Sequence, residues 1–124
     1  MTRLSGVRIL VVDDEILICE VLKDLLSLYG AHVDICYDGQ SALSFLNQSN
    51  YDILISDVRM PVCDGPTLVS LVPQKIRDKL LIYFCSGYND LSIENMKQLG
   101  VRQIFAKPFN IDQIMNVLIE DLKK

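Results

Sequence analysis

The stretch Val7-Arg8-Ile9-Leu10-Val11-Val12-Asp13-Asp14 decides how this chain is read. Its β-branched apolar run is too short for a buried helix and too continuous for a strand with one wet face. It reads as a central strand covered on both sides and ending in two carboxylates. Directly after it, Ile18, Val21, Leu22, Leu25, Leu28 and Tyr29 recur at helical spacing, with Glu20, Lys23 and Ser27 opposite. Gly30 supplies the stop, which predicts a helix over about 14–29.

The same alternation continues outward. His32-Val33-Asp34-Ile35-Cys36 alternates polar and apolar and reads as an edge strand. Asp38-Gly39 opens a helix carrying Ala42, Leu43 and Leu46, and Ile53-Leu54-Ile55-Ser56 is a second buried run, ending at Asp57. Asp64 caps a third helix, with Pro66 in its tolerant first turn, Leu68, Leu71 and Val72 on its core face and Pro73 closing it. Leu80 to Phe84 reads as a fourth strand, Ile93, Met96 and Leu99 as a short helix, and Val101 to Ala106 as a more polar fifth strand. Asn110 then caps a last helix with Ile111, Ile114, Met115, Leu118 and Leu122 on one stripe.

Five strand–helix units with short connections predict one domain over residues 1–124 with a five-stranded parallel sheet and helices on both faces. The two polar strands belong at the edges, as in the flavodoxin-like (βα)5 order 2-1-3-4-5.

Sixteen acids against twelve bases give a net charge of −4 over 124 residues. That sign argues against a nucleic-acid partner. No apolar run approaches the roughly 20 residues of a membrane span, and Arg3 and Arg8 precede no signal-peptide core, so a cytoplasmic location without membrane attachment is expected. Cys19, Cys36, Cys63 and Cys85 match no metal or redox spacing and read as small buried hydrophobes.

In such a sheet the functional crevice lies beyond the carboxyl ends of the strands, where the strand order reverses. Asp13, Asp14 and Asp57 end the two strands flanking that point. Without them the sixteen acids become thirteen against twelve bases, so most of the excess charge belongs to this crevice. Three facing carboxylates need a cation or must take up protons, and an all-oxygen set suits Mg²⁺. The fourth strand ends at Ser86 and the fifth at Lys107, which adds a hydroxyl and an ammonium to the same rim. Metal, lysine and hydroxyl together suit phosphoryl oxygens, and the central carboxylate of Asp57 is the candidate nucleophile.

Taken in order, Asp13-Asp14, Asp57-Val58-Arg59-Met60-Pro61-Val62-Cys63-Asp64-Gly65, Ser86-Gly87 and Lys107-Pro108-Phe109 resemble the receiver domain of two-component response regulators, of the kind found in chemotaxis. The likeness covers nearly the whole chain. It implies that Asp57 accepts a phosphoryl group from a histidine kinase or histidine phosphotransfer protein. It further implies that Asp13, Asp14, Asp57 and the Arg59 backbone carbonyl hold Mg²⁺, that Lys107 and Ser86 contact the phosphoryl oxygens, and that a cis peptide precedes Pro108. An output domain or downstream protein would read the switch, from a monomer or a phosphorylation-dependent dimer.

Two departures from the family pattern carry expectations. The aromatic that the family couples to the hydroxyl is replaced by Ile104, while Phe105 points to the opposite face. Switching is therefore expected to use repacking of Ile104. Arg59 and Tyr88, both large, border the family's route for hydrolytic water and predict a phosphoaspartate lasting minutes or longer. Ile16 falls on the polar side of the first helix and is expected to anchor a docking partner.

Rival readings meet the same residues. An aspartyl phosphohydrolase wants a second acid where Arg59 stands. A flavin or nucleotide carrier wants a phosphate-cradling loop where Asp13-Asp14 stand. A receiver-like scaffold that works without phosphorylation is the alternative reading.

Overall fold

The computed structural model describes residues 3–87 and 98–123. The chain runs β1 (Arg8–Val12), α1 (Ile16–Leu28), β2 (His32–Cys36), α2 (Gly39–Gln48), β3 (Ile53–Asp57), α3 (Gly65–Leu71), α4 (Gln74–Arg77), β4 (Leu81–Ser86), β5 (Val101–Ala106) and α5 (Ile111–Leu122). All neighbouring strands are parallel, in the order β2-β1-β3-β4-β5. The two polar strands do lie at the edges of this flavodoxin-like sheet.

Strand alternation splits the core into two layers. Leu10, Val12, Leu54 and Phe84 pack with Ala42 and Leu46 of α2 and Leu68 and Val69 of α3. On the opposite face Ile9, Val11, Ile53 and Ile55 meet Cys19, Leu22 and Leu26 of α1 and Ile114, Met115 and Leu118 of α5. The central strands are covered on both sides, which is why they read as continuous apolar runs. All four cysteines are free and buried.

Helix starts follow their caps. Asp38 accepts from the Ser41 amide at 2.7 Å, Asp64 from Thr67 at 2.8 Å and Asn110 from Gln113 at 3.1 Å. Each cap satisfies an amide that the helix itself cannot. The first helix starts from Glu15 without a side-chain cap.

Three expectations need correction. The core face of α1 is Cys19, Leu22 and Leu26, whereas Val21 and Leu28 are more than half exposed. A helix with apolar residues around much of its circumference can bury only the face against the sheet, and the thiol of Cys19 is held there by the Asp13 carbonyl at 3.3 Å. In α3, Val69 rather than Leu71 is buried. Pro73 does more than close α3: its carbonyl accepts from the amides of Ile76 and Arg77, starting α4. The helix expected through Ile93, Met96 and Leu99 lies outside the described residues except for 98 and 99, which are helical.

The β4–β5 pairing contains one irregularity. Ile82 pairs with Val101 and Tyr83 with Gln103, leaving Arg102 as an extra residue. Such a bulge interrupts alternation. Val101 and Ile104, three apart, therefore face the same layer, while Phe105 faces the other.

Candidate functional site

The carboxyl ends of the strands converge because their registers are nearly level. Val12 pairs with Ser56, Asp57 with Cys85, and Ser86 with Ala106. At the rim the Lys107 amide donates to the Ser86 carbonyl at 3.1 Å, holding the last two strand ends together. A cleft of about 350 Å³ opens here, lined by Asp14, Glu15, Asp57, Arg59, Ser86, Gly87 and Lys107.

Carboxylate oxygens of Asp13, Asp14 and Asp57 lie within 4.8 Å of one another. Asp13 is buried, and its Oδ1 accepts the Glu15 amide at 2.9 Å. That bond ties the acid to the entrance of α1. Nζ of Lys107 lies 2.9 Å from Asp13 Oδ2 and 3.4 Å from Asp57 Oδ1, with only 16% of the lysine side chain exposed. Burial pulls the ammonium down, but the hydrogen bond and charge of Asp13, joined by Asp57, hold it above its ordinary value.

One ammonium cannot neutralise three carboxylates. Burial, and then the charge of Asp13, push the Asp57 carboxyl up to about 6 despite Lys107. The excess negative charge, the all-oxygen donors and their spacing fit a hard divalent cation such as Mg²⁺.

Asp13, Asp14, Asp57, Ser86 and Lys107 are brought together as expected from the sequence, and Arg59 lines the same cleft. The Lys107–Pro108 peptide is cis. Ile104 stands apart, partly buried against the layer of α2 and α3. Tyr88 lies outside the described residues. Sequence reasoning overlooked Glu15 as a cleft residue, although its place directly after Asp14 was a sufficient signal.

A further feature adjoins the cleft. Leu17, Ile18, Val21 and Leu25 of α1, with Pro108, Phe109 and Ile111, line an apolar groove of about 380 Å³ that shares Lys107 with the cleft. Ile16 is 55% and Leu17 75% exposed. Ile16, expected from the sequence to be exposed, is so, but it does not line this groove.

The model of the response regulator receiver domain matches residues 9–119. The chain belongs to this family. Among curated relatives, transcription factor SKN7 of Saccharomyces cerevisiae is 31% identical over 123 residues, covering 99% of this chain and 20% of the relative. Transcriptional regulatory protein TcrA of Mycobacterium tuberculosis is 33% identical over 113 residues, covering 90% and 44%.

Solved receiver structures agree in fold. Chemotaxis protein CheY4 of Vibrio cholerae superposes with a TM-score of 0.82 at 30% identity, covering 90% of this chain and 95% of that one. Response regulator TrrA of Thermotoga maritima, solved in complex with Mg(2+)-BeF, gives 0.81 at 30% identity, covering 92% and 97%. The receiver chain spans from a fifth to about half the length of the curated relatives it matches. Among its described residues no helix is long and apolar enough to cross a membrane.

Proposed function

We propose that Asp57 of this receiver domain accepts a phosphoryl group from a histidine kinase or histidine phosphotransfer protein, with Mg²⁺ in the acidic cleft. The single observation that carries the reading is the largely buried Lys107 ammonium, 2.9 Å from Asp13 and 3.4 Å from Asp57, two of three clustered carboxylates. A carboxylate oxygen of Asp57 attacks phosphorus, and the new O–P bond forms as the donor's P–N bond breaks, with its electron pair leaving on the imidazole nitrogen. Lys107 and Ser86 receive the charge on the transferred oxygens, the lysine as a cation and the serine as a hydroxyl donor. Asp13, Asp14, Asp57 and the Arg59 carbonyl would hold Mg²⁺, which supplies neutralising charge at the reacting oxygens. The domain then acts as a switch for an output domain or downstream protein, as a monomer or a phosphorylation-dependent dimer in the cytoplasm, with no nucleic-acid contact of its own.

Intact mass after incubation with Mg²⁺ and acetyl phosphate tests this. One phosphoryl adduct is expected on the wild type, none with a chelator and none on Asp57→Asn. Absence of a Mg²⁺-dependent adduct on the wild type would establish instead a scaffold that works without phosphorylation.

The apolar groove beside the cleft supports docking of a donor helix along α1, since a helix seated there would bring its phosphohistidine toward the rim. Ile16 lies outside the groove, exposed next to Leu17 at the start of α1. If the donor helix also covers that end, Ile16→Asp is expected to slow transfer from the cognate kinase about tenfold or more, the cost of a charge in an apolar contact, while labelling by acetyl phosphate keeps its rate. An unchanged kinase rate removes Ile16 from the interface.

Arg59 is a large side chain lining the cleft, which supports slow loss of the phosphoryl group. The phosphoaspartate is expected to last minutes, and to shorten severalfold in the double variant Arg59→Ala, Tyr88→Ala as water gains access. A half-life unmoved by both substitutions would show that bulk at these positions does not control hydrolysis.

A further inference from the structure

The bulge in β5 aims Arg102 at α5. Its Nε lies 3.1 Å from Asp121 Oδ2 and its guanidinium donates to Oδ1 at 3.3 Å. The same carboxylate accepts the hydroxyl of Tyr83 at 2.5 Å, although the Tyr83 side chain is fully buried. Tyr83 is stacked on Phe105, with ring centroids 5.4 Å apart and planes 17° from parallel.

These contacts tie β4, β5 and the end of α5 together on one face of the sheet. Phe105 precedes Lys107 by two residues, Tyr83 precedes Ser86 by three, and Asp121 lies one residue before the end of α5. Asp121 is an acid at the negative end of a helix dipole, where a carboxylate is disfavoured unless it is paired. Tyr83 is a hydroxyl buried in an apolar layer, which needs an acceptor. Arg102 is where the β4–β5 ladder has slack, because a bulge leaves one residue unpaired. A shift of the β5 end relative to β4 can be taken up there only by disturbing the group that clasps Asp121.

We propose that Tyr83, Asp121 and the bulged Arg102 form a latch that couples the cleft to the C-terminal turn of α5. The latch lies on the α5 face of the sheet, opposite the layer that contains Ile104. Repacking of Ile104 is then not the route by which cleft occupancy reaches α5. The inference rests on the phosphoacceptor reading, because occupancy of the cleft is the signal it transmits.

The test is hydrogen exchange of the α5 amides 119–122 in the whole chain, with and without Mg²⁺ and beryllofluoride. Binding is followed separately by fluorine NMR. In the wild type, occupancy is expected to change exchange there by about fivefold or more, the lower end of ordinary coupling between sites. Tyr83→Phe keeps the ring stack and the Arg102–Asp121 pair, and Arg102→Gln keeps the bulge, so both variants test the latch without emptying the core. Each is expected to bind beryllofluoride as the wild type does and to lose most of the response at α5.

Binding without a wild-type response, or an undiminished response in both variants, overturns the latch and leaves the phosphoacceptor reading intact. Failure of the wild type to bind beryllofluoride overturns both. Loss of the response in Ile104→Ala but not in Tyr83→Phe assigns the coupling to the other face and overturns the latch.

Discussion

Asp57→Asn is expected to stabilise the metal-free protein at neutral pH by about 2–3 kcal/mol, taking about 1.4 kcal/mol for each pH unit between the two states' titrations, while abolishing the phosphoryl adduct. The ordinary value of 3.8 applies to Asp57 in the unfolded chain, and burial beside Asp13 raises it to about 6 in the fold. Below pH 3.8 both states carry the proton and ionisation costs the fold nothing. Between 3.8 and 6 the folded state binds more protons than the unfolded one, so the contribution of Asp57 to stability falls as pH rises. Above 6 the full penalty is present. Asparagine never ionises and escapes it.

Urea unfolding with a chelator at neutral pH and again near pH 4 reads this difference. The advantage of the variant should be large in the first condition and nearly absent in the second. Equal midpoints at neutral pH would mean that Lys107 compensates Asp57 fully. Mg²⁺ should then narrow the gap, because a ligand at ten times its dissociation constant adds about 1.4 kcal/mol to a fold that binds it. The variant lacks one of the three carboxylates and should gain less. The acidic cleft thus sets stability against function.

The sites legible in the sequence were those that depend on strand ends. Asp13, Asp57, Ser86 and Lys107 each stand where a strand stops, and a parallel sheet brings such ends to one rim whatever the details of packing. The two apolar layers followed from strand alternation for the same reason. Helix faces were harder. In α1, apolar residues cover more of the circumference than the sheet can bury, so periodicity alone could not separate core positions from the exposed Val21 and Leu28.

The bulge at Arg102 was also hidden. It shifts the alternation of β5 by one, and nothing local in Val101-Arg102-Gln103 marks it. The latch could not have been read without it, since Tyr83 and Asp121 are 38 residues apart.

Gly65→Ala is expected to cost about 3 kcal/mol or more, at or above the upper end for overpacking, and to lower adduct yield even in the fraction that remains folded. A Cβ added there would meet the carbonyl oxygen of Asp57 at 2.5 Å, Cε1 of Phe84 at 3.1 Å and Cα of Val58 at 3.3 Å. Two of these are backbone atoms and the third belongs to a fully buried ring, so none can yield cheaply. The Gly65 amide also donates to the Val58 carbonyl at 2.9 Å, which prevents the start of α3 from simply swinging away. The strain must therefore go into the end of β3, where Asp57 is oriented.

Gly39→Ala separates the two effects. Its Cβ would stand 2.6 Å from the carbonyl oxygen of Cys63 and 2.6 Å from its sulfur, a clash of similar severity that does not touch Asp57. Both variants should unfold at lower urea concentration, but only Gly65→Ala should label poorly at concentrations where circular dichroism shows a folded chain. If the two label equally well, the close approach of α3 to β3 serves packing alone and has no part in aiming the phosphoacceptor.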